Sequence, residues 1–323
     1  MNIMINSYCN LKCPYCFAQK TMHDEGAMNM SLSAFKKCLN FLKASDMKEV
    51  RLIGGEPTLH PQLERILDMI IDDGFFEDIL IFSNFNFSQE VAEMLVKKSK
   101  FIRLRFLPNI NDLEIMLPNI RENVLRNFDF ITTMIPTMRN LSINLYSPNM
   151  NLKPYEDLVC RYDLKTIRFS VVLPNKKLPD DFDTKAYFHS FQPLLNELLN
   201  WRIKYGVSID NDCNSLPLCC FDNDFLVKAL KANMWGFFEH EFCDSLSIDI
   251  TPDLKVNGCF VCSIENPKSL EEFKNFKEMG NYLREYQQKQ YGNKVVFEDC
   301  LSCPKYLTYH NCCTCLVYRK VDI

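Results

Sequence analysis

Residues 9–16 read CNLKCPYC, which places Cys9, Cys13 and Cys16 in a C-x3-C-x2-C spacing. Four thiolates close a structural zinc or iron–sulfur site, whereas three leave one corner of the metal site without a protein ligand. On a 4Fe–4S cluster, that open corner can chelate a small molecule. The alternative is a zinc site completed by a distant residue, and the triplet alone leaves the two interpretations even.

A second motif, Gly54-Gly55-Glu56-Pro57, follows a predicted strand and favours the open cluster. Two glycines allow a backbone to approach a ligand closely, and Glu56 offers a carboxylate at the carboxyl end of a strand, where barrel enzymes hold their sites. A carboxylate with nearby carbonyl groups suits a bound ammonium group. Alone the motif is only a turn signal. Its combination with the cysteine triplet is specific.

The composition excludes several classes of protein. The chain has 323 residues, 47% hydrophobic and 24% charged, with a net charge of -4, so it has no general nucleic-acid footprint. No apolar run is long enough for a membrane span, and none precedes Cys9 as a signal peptide would. We therefore expect a cytoplasmic protein without nucleic-acid or membrane partners. In that compartment 16 cysteines indicate metal binding, and an exported disulfide protein is the weaker alternative.

Short apolar runs alternate with amphipathic stretches over the first two-thirds of the chain. The predicted strands are Ile3–Asn6, Val50–Gly54, Asp78–Asn84, Phe101–Phe106, Leu141–Tyr146 and Thr166–Val172. Helical periodicity lies between most of them, as in residues 31–44, where Ser31 or Ser33 is the predicted N-cap. Six strand–helix units in a row predict an α/β fold with a parallel sheet that forms a partial (β/α)6 barrel.

Strands four to six alternate apolar and polar residues. Arg103 and Arg105 share one face of the fourth strand, and Arg168 and Ser170 share one face of the sixth. Because the apolar faces must pack under helices, we expect the polar faces to line an open, wet barrel interior. The alternative is a set of edge strands with one solvent-facing side.

Beyond a polar linker and a long helical segment the chain becomes rich in cysteine. We place a barrel domain at residues 1–205 and a small cysteine-rich α+β domain at 206–323. Only Cys38 and Cys160 lie between the triplet and this region, and both are interpreted as small apolar side chains. The paired spacing of Cys259/Cys262 and Cys300/Cys303 also fits a zinc ribbon.

The motifs CNLKCPYC and GGEPTLHP resemble those of the radical S-adenosylmethionine (radical SAM) superfamily, and the strand order of the first 175 or so residues agrees with it. The resemblance implies a 4Fe–4S cluster on Cys9, Cys13 and Cys16 whose fourth iron binds the SAM amino and carboxylate groups. It further implies SAM-site roles for the aromatic Tyr15, for Gly54, Gly55 and Glu56 at the methionyl amine, for Ser83 and Asn84 near the ribose or carboxylate, and for Arg105 or Arg168 at the carboxylate.

The second half resembles the SPASM extension, which carries auxiliary 4Fe–4S clusters. Leu254 stands where that family has a glycine, and the closing cysteines depart from its usual spacing. The resemblance implies one or two auxiliary 4Fe–4S clusters, with ligands from Cys213, Cys243, Cys259, Cys262, Cys300, Cys303, Cys312 and Cys315. Epimerising relatives return a hydrogen atom from a cysteine thiol, and Cys219 or Cys220 is the candidate here. The other interpretation makes both of them cluster ligands or core residues.

The function implied by this resemblance is reductive cleavage of SAM and abstraction of a substrate hydrogen by a 5′-deoxyadenosyl radical. The expected substrate is a ribosomal peptide or protein that is crosslinked, epimerised or oxidised. The expected electron donor is a flavodoxin or ferredoxin. Because no leader-binding domain precedes the first strand, we expect recognition by the barrel mouth, the C-terminal region or a separate leader-peptide-binding protein. Alternatives are a small-molecule radical SAM enzyme and a non-catalytic iron–sulfur or zinc module.

Overall fold

The structure, a computed structural model, describes residues 1–16, 28–111, 113–173, 182–212, 216–234, 248–258, 264, 266–291 and 302. The chain divides into two compact units. The first unit is Met1–Met138 with Leu246–Glu285, and the second is Arg139–Ser245 with Tyr286–Ile323.

The first unit contains a mainly parallel sheet with the strand order β4-β3-β2-β1-β8-β9. Its strands are β1 Asn2–Asn6, β2 Glu49–Gly54, β3 Asp78–Ser83, β4 Arg103–Pro108, β8 Asp249–Ile250 and β9 Val256–Asn257. Ile3 of β1 is paired with Leu52 of β2 on one side and with Ile250 of β8 on the other. All three side chains are fully buried, so β1 is a central strand whose carboxyl end leads into the cysteine loop.

The second unit contains a parallel sheet with the order β5-β6-β7. Its strands are β5 Asn140–Leu145, β6 Thr166–Val171 and β7 Ser208–Asn211. The first two are the predicted fifth and sixth strands. The sequence interpretation missed β7, which lies beyond residue 205, and it also missed the pairing of β8 with β1. Strands from beyond the expected boundary thus join both sheets, and the boundary itself stays a prediction.

Helices follow most of the strands, in the predicted β/α order. They are α1 Leu32–Ala44, α2 Leu63–Asp73, α3 Gln89–Lys98, α4 Pro118–Met134, α5 Lys153–Tyr162, α6 Thr184–Ser190, α7 Gln192–Tyr205, α8 Asn223–Lys231 and α9 Phe276–Tyr291. Ser31 caps α1, since its hydroxyl accepts a hydrogen bond from the Ala34 N–H at 3.1 Å. One of the two predicted caps for this helix is therefore confirmed.

Two helix predictions need correction. The sequence pattern from Pro61 onward predicts a helix with Pro61 in its first turn, but the chain makes a short 3-10 turn over Pro57–Leu59 and α2 begins only at Leu63. The long helix expected after the linker is interrupted at Phe191, between α6 and α7. Pro193 explains this interruption, because proline lacks the N–H that a continuous helix needs and is favoured in a first turn.

Strands β8 and β9 form a hairpin around Leu254. Asp249 is paired with Asn257, and Ile250 with Val256, in antiparallel register. Leu254 has a φ of 66°, in the left-handed region where glycine is favoured. Leu254 is buried, with only 7% of its surface exposed. This burial offsets part of the backbone cost of placing a leucine in the left-handed region.

The polar faces of the strands differ between the two sheets. On β4, Arg103 and Arg105 have side chains that are 63% and 42% exposed. On β5 and β6, Ser142 and Ser170 are buried, and the Ser170 hydroxyl donates to Asn144 Oδ1 at 2.7 Å. The arginines of β4 are thus partly exposed to solvent, whereas the serines of β5 and β6 are buried. Among the described residues, no helix is long and apolar enough to cross a membrane.

Candidate metal centre

The cysteine loop leaves the carboxyl end of β1. Cys9, Cys13 and Cys16 are each half-buried, and the Cys16 N–H donates to the Cys13 carbonyl at 3.0 Å, which closes a turn between the last two thiols. The chain returns beside the start of this loop, where the Ser7 N–H donates to the Met28 carbonyl and the Met28 N–H donates to Ser7 Oγ, both at 2.9 Å. The loop is thus fastened at its base, against β1.

Gly54 and Gly55 lie directly under the start of this loop. A Cβ atom on Gly55 would lie 2.0 Å from the Tyr8 carbonyl oxygen and 2.7 Å from the Cys9 nitrogen, and one on Gly54 would lie 2.1 Å from Asn6 Oδ1. The Glu56 N–H donates to the Tyr8 carbonyl at 2.8 Å. The absence of side chains at Gly54 and Gly55 therefore allows the backbone at the start of the cysteine loop to pack directly against the end of β2.

Glu56 is 1% exposed, and its carboxylate is the centre of a hydrogen-bond network. Oε1 accepts from the Thr58 N–H at 3.1 Å, from Thr58 Oγ1 at 2.6 Å and from Ser83 Oγ at 2.8 Å. Oε2 accepts from the Asn84 N–H at 2.7 Å. Burial raises the pKa of Glu56 above its ordinary value, although these hydrogen bonds oppose the increase. The result is a desolvated carboxylate of fixed orientation.

Ser83 and Asn84 lie at the carboxyl end of β3, as predicted, and both contact Glu56. Ser83 Oγ also accepts from the Phe85 N–H at 3.0 Å. The Asn84 side chain turns toward the cysteine loop, where Nδ2 lies 3.5 Å from Cys9 Sγ and 3.0 Å from Asn10 Oδ1. Asn84 therefore joins the glutamate to the first cysteine. Contact of these two residues with the SAM ribose or carboxylate stays a prediction.

The sulfur of Cys9 has two N–H donors, Asn84 Nδ2 and the Leu11 backbone N–H at 3.4 Å. Burial is the largest cause that raises the pKa of the Cys9 thiol to about 11, and the negative charge of Glu56 adds to it, while both hydrogen bonds oppose it. Metal binding must displace this proton, because thiolates and not thiols ligate iron.

Sequence reasoning missed three residues that shape this site. Asn6 is fully buried, and its Nδ2 donates to the Glu56 carbonyl at 2.8 Å. Thr58 supplies two of the donors to the Glu56 carboxylate. His60 Nδ1 accepts from the Gln62 N–H at 3.0 Å, so Nε2 is the protonated nitrogen that donates to the Met30 carbonyl at 3.1 Å. The available signals were a polar residue that ends an apolar strand and the polar residues of GGEPTLHP.

Other predicted site residues are not brought to Glu56. Arg105 is paired with Glu49 and Asp78, the first residues of β2 and β3, at the end of the sheet opposite Glu56. Arg168 belongs to the second unit, where it is paired with Asp212. Their assignment to the SAM carboxylate stays a prediction, as does the assignment of the half-buried Tyr15 to the SAM site.

Cys219 and Cys220 are adjacent in a 3-10 turn, Leu218–Cys220. The two thiols differ in environment, since Cys219 is exposed and Cys220 is buried. The cysteines assigned to auxiliary clusters lie outside the described residues; they are Cys213, Cys243, Cys259, Cys262, Cys300, Cys303, Cys312 and Cys315.

The described residues fit a 4Fe–4S cluster in their chemistry. Three thiols share one short loop that is half-buried, and amide N–H groups point at the first sulfur, as suits a thiolate ligand. Within the described ranges, no group of three His, Cys, Asp or Glu residues is placed to hold a single metal ion. A four-iron cluster does not require such a group, because each thiolate ligates a different iron.

Comparison with known proteins points to the same chemistry. A family model described as "4Fe-4S single cluster domain" matches residues 2–106. The chain is 25% identical over 184 residues to GTP 3′,8-cyclase of Sulfurimonas denitrificans, across 54% of this chain and 56% of that protein. It is 33% identical over 76 residues to the S-adenosylmethionine-dependent nucleotide dehydratase of Selenomonas ruminantium, across 23% and 26%. The chain thus spans about half the length, or less, of these curated relatives.

Solved structures share the fold. The anSMEcpe structure with bound AdoMet has a TM-score of 0.64 at 14% identity, over 99% of this chain and 90% of that one. Streptococcus suis SuiB bound to S-adenosylmethionine has a TM-score of 0.60 at 13% identity, over 94% and 69%. This likeness confirms the predicted α/β partial barrel.

The family match covers β1 to β4, including the cysteine loop and the Gly-Gly-Glu turn that the structure joins together. It names a 4Fe–4S domain, which favours the cluster interpretation of the first triplet over the zinc interpretation. The chain is similar to a 4Fe–4S domain over this region and is also similar to SAM-dependent enzymes, and the cofactors that this similarity supports are a 4Fe–4S cluster and SAM.

Proposed function

We propose that this protein reductively cleaves SAM and uses the resulting radical to modify a ribosomal peptide or protein. The observation that carries the proposal is the buried Glu56 carboxylate, joined through Asn84 to the sulfur of Cys9. A desolvated carboxylate beside a three-cysteine loop suits a ligand that carries an ammonium group next to an open iron.

Each element of the site has a distinct role in this proposal. Cys9, Cys13 and Cys16 hold the cluster, and Gly54 and Gly55 let the loop pack closely against the end of β2. Glu56 receives the methionyl ammonium of SAM, because its carboxylate is orientated by donors on both oxygens. The buried surroundings strengthen this ion pair by excluding water.

A 4Fe–4S cluster held by Cys9, Cys13 and Cys16 would supply one electron to SAM bound beside it. This electron would break the S–C5′ bond to give methionine and a 5′-deoxyadenosyl radical able to take a hydrogen atom from the substrate. We assign the electron source to a flavodoxin or ferredoxin. Auxiliary 4Fe–4S clusters on the eight C-terminal cysteines named above belong to the same proposal.

The peptide substrate is supported by one solved structure. SuiB, which is similar in fold, has been solved bound to its precursor peptide SuiA, with a TM-score of 0.58 at 13% identity over 98% of this chain. Recognition of the peptide then falls to the barrel mouth, the C-terminal region or a separate leader-peptide-binding protein.

A second candidate substrate is a small molecule of the nucleotide class. It is favoured by the curated relatives, whose names describe GTP 3′,8-cyclases and SAM-dependent nucleotide dehydratases. These alignments cover 54%, 23% and 47% of this chain.

The test is SAM cleavage by the anaerobically reconstituted protein with dithionite. We expect a brown protein that forms 5′-deoxyadenosine, and we expect Cys13→Ala to abolish this product. A colourless protein that holds zinc would overturn the proposal. GTP, or a peptide encoded beside the gene, is then added to the reaction to separate the two substrate classes. The true substrate should increase the amount of 5′-deoxyadenosine formed and should itself change in mass.

The hydrogen-atom donor has its own test. If the product is an epimerised peptide, we expect the Ala variant of one of Cys219 and Cys220 to lose epimer while still forming 5′-deoxyadenosine. The exposed Cys219 is the better candidate for direct access to a substrate, and the buried Cys220 serves as the matched control. Unchanged epimer formation in both variants excludes this role.

A further inference from the structure

The side chain of Asn84 is oriented by its neighbours. Oδ1 accepts from the Asn86 N–H at 2.7 Å, so the amide nitrogen must point the other way. That nitrogen carries two hydrogens, and its two acceptors are Cys9 Sγ at 3.5 Å and Asn10 Oδ1 at 3.0 Å. Asn84 as a whole residue is 8% exposed. Both hydrogens of its side-chain amide are directed at the cysteine loop.

The loop that carries Asn84 is held rigidly. Phe85 has a φ of 61°, a conformation that is strained for a bulky residue. Its ring is fully buried, with ring centroids of Phe87, Phe106 and Phe128 at 5.5, 5.6 and 5.8 Å. Asn127 Nδ2 donates to the Phe85 carbonyl at 2.8 Å and to the Phe87 carbonyl at 2.7 Å. Anchored packing of this kind sustains the strain and fixes the direction of Asn84.

The backbone of Asn84 is fixed as well, because its N–H donates to Glu56 Oε2 at 2.7 Å. One residue therefore presents a backbone donor to the carboxylate and a side-chain donor to the sulfur.

We propose that Asn84 is a positioning residue that sets the reduction potential of the cluster on Cys9, Cys13 and Cys16. This inference rests on the proposed function, since it requires that cluster. A reduced cluster carries more negative charge on its sulfur ligands, and an N–H···S bond stabilises that charge. Hydrogen bonds to the sulfurs are among the factors that set iron–sulfur potentials. Loss of the Asn84 donor therefore moves the midpoint to a more negative potential.

The experiment is a redox titration followed by EPR, on the anaerobically reconstituted full chain without SAM. The relevant signal is the one absent from the Cys9→Ala/Cys13→Ala/Cys16→Ala protein. We expect Asn84→Leu to lower the equilibrium constant for reduction of the cluster about tenfold. For a one-electron couple this is a shift of the midpoint potential by about 59 mV to a more negative value. Asn84→Asp, which keeps the acceptor for Asn86, should shift it further by placing a carboxylate near the sulfur.

Asn10→Ala is the matched control, because it removes the other acceptor of the amide and leaves the N–H···S contact. We expect its midpoint to equal that of wild type. A wild-type midpoint in Asn84→Leu overturns the inference, and so does an equal shift in Asn10→Ala. Failure of both Asn84 variants to load a cluster that Asn10→Ala loads also overturns it, since Asn84 would then serve assembly. Wild-type protein that holds the cluster but does not cleave SAM overturns the proposed function alone.

Discussion

Gly55→Ala is the substitution that most directly tests how the cysteine loop is seated. The added methyl carbon would lie 2.0 Å from the Tyr8 carbonyl oxygen, 2.1 Å from the Tyr8 carbonyl carbon and 2.7 Å from the Cys9 nitrogen. All three are backbone atoms, which cannot rotate away as a side chain can. Restoring an ordinary contact of about 3.4 Å requires the loop to move by roughly 1.4 Å.

That movement has a cost that can be estimated. Overpacking in a filled site costs about 1–3 kcal/mol, and loss of the 2.8 Å hydrogen bond from the Glu56 N–H to the Tyr8 carbonyl adds about 1–3 kcal/mol. The sum, about 2–6 kcal/mol, corresponds to a fall in melting temperature on the order of 10 °C. Because Cys9 moves with Tyr8, we also expect the reconstituted protein to hold less iron and sulfide.

Gly74→Ala is the matched control. Gly74 ends α2 with a φ of 69°, and no atom lies within 4 Å of the position that an added Cβ would take. This substitution should cost about 1–2 kcal/mol through backbone strain alone and leave cluster content unchanged. Wild-type iron content in Gly55→Ala, with a melting temperature no lower than that of Gly74→Ala, would refute the reasoning.

Three further predictions follow from buried polar groups. Burial raises the pKa of Asp249 to about 6, so the folded state holds more protons than the unfolded state between about pH 4 and 6 and stability falls as the pH rises through that range. Asp249→Asn keeps an acceptor for the Asn2 side chain. At pH 8 this substitution should raise the melting temperature and increase the free energy of unfolding by up to about 3 kcal/mol, whereas at pH 4 it should change neither. An equal effect at both pH values would contradict this. Glu56→Gln should weaken SAM binding about 10- to 100-fold in equilibrium titrations. Wild-type affinity should fall as the pH decreases through the raised pKa of Glu56, whereas a pH profile shared by wild type and Glu56→Gln would argue against the ion pair. Asn127→Ala removes donors to two loop carbonyls and should speed hydrogen exchange at residues 84–87; unchanged exchange there would show that the aromatic packing alone holds the loop.

Local sequence signals were sufficient for much of the fold and of the metal centre. The six predicted strands all form, because each is an apolar run bounded by turn residues. The cysteine triplet and Gly-Gly-Glu are adjacent in space because β1 and β2 are neighbours and parallel, so their carboxyl ends meet. The clash found at Gly55 explains in physical terms why a glycine is needed there.

Long-range pairings could not be predicted in the same way. β8 joins β1 across more than 240 residues, and nothing local in a two-residue strand predicts its partner. The contact of Asn84 with Cys9 depends on the left-handed conformation of Phe85, an aromatic residue with no turn signal. The position of Arg105 was easier to predict from the sequence. Arg105 lies nearer the start of β4 than its end, and therefore away from the edge of the sheet where Glu56 lies.

The central claim is that Cys9, Cys13 and Cys16 hold a 4Fe–4S cluster with one iron open to SAM. The most direct measurement is the EPR spectrum of the reduced wild-type protein with and without SAM, from which the spectrum of the triple Ala variant of these cysteines is subtracted. We predict a difference signal that changes its g values when SAM is added. A triple variant with wild-type iron content and spectrum, or a difference signal that SAM leaves unchanged, would contradict the claim.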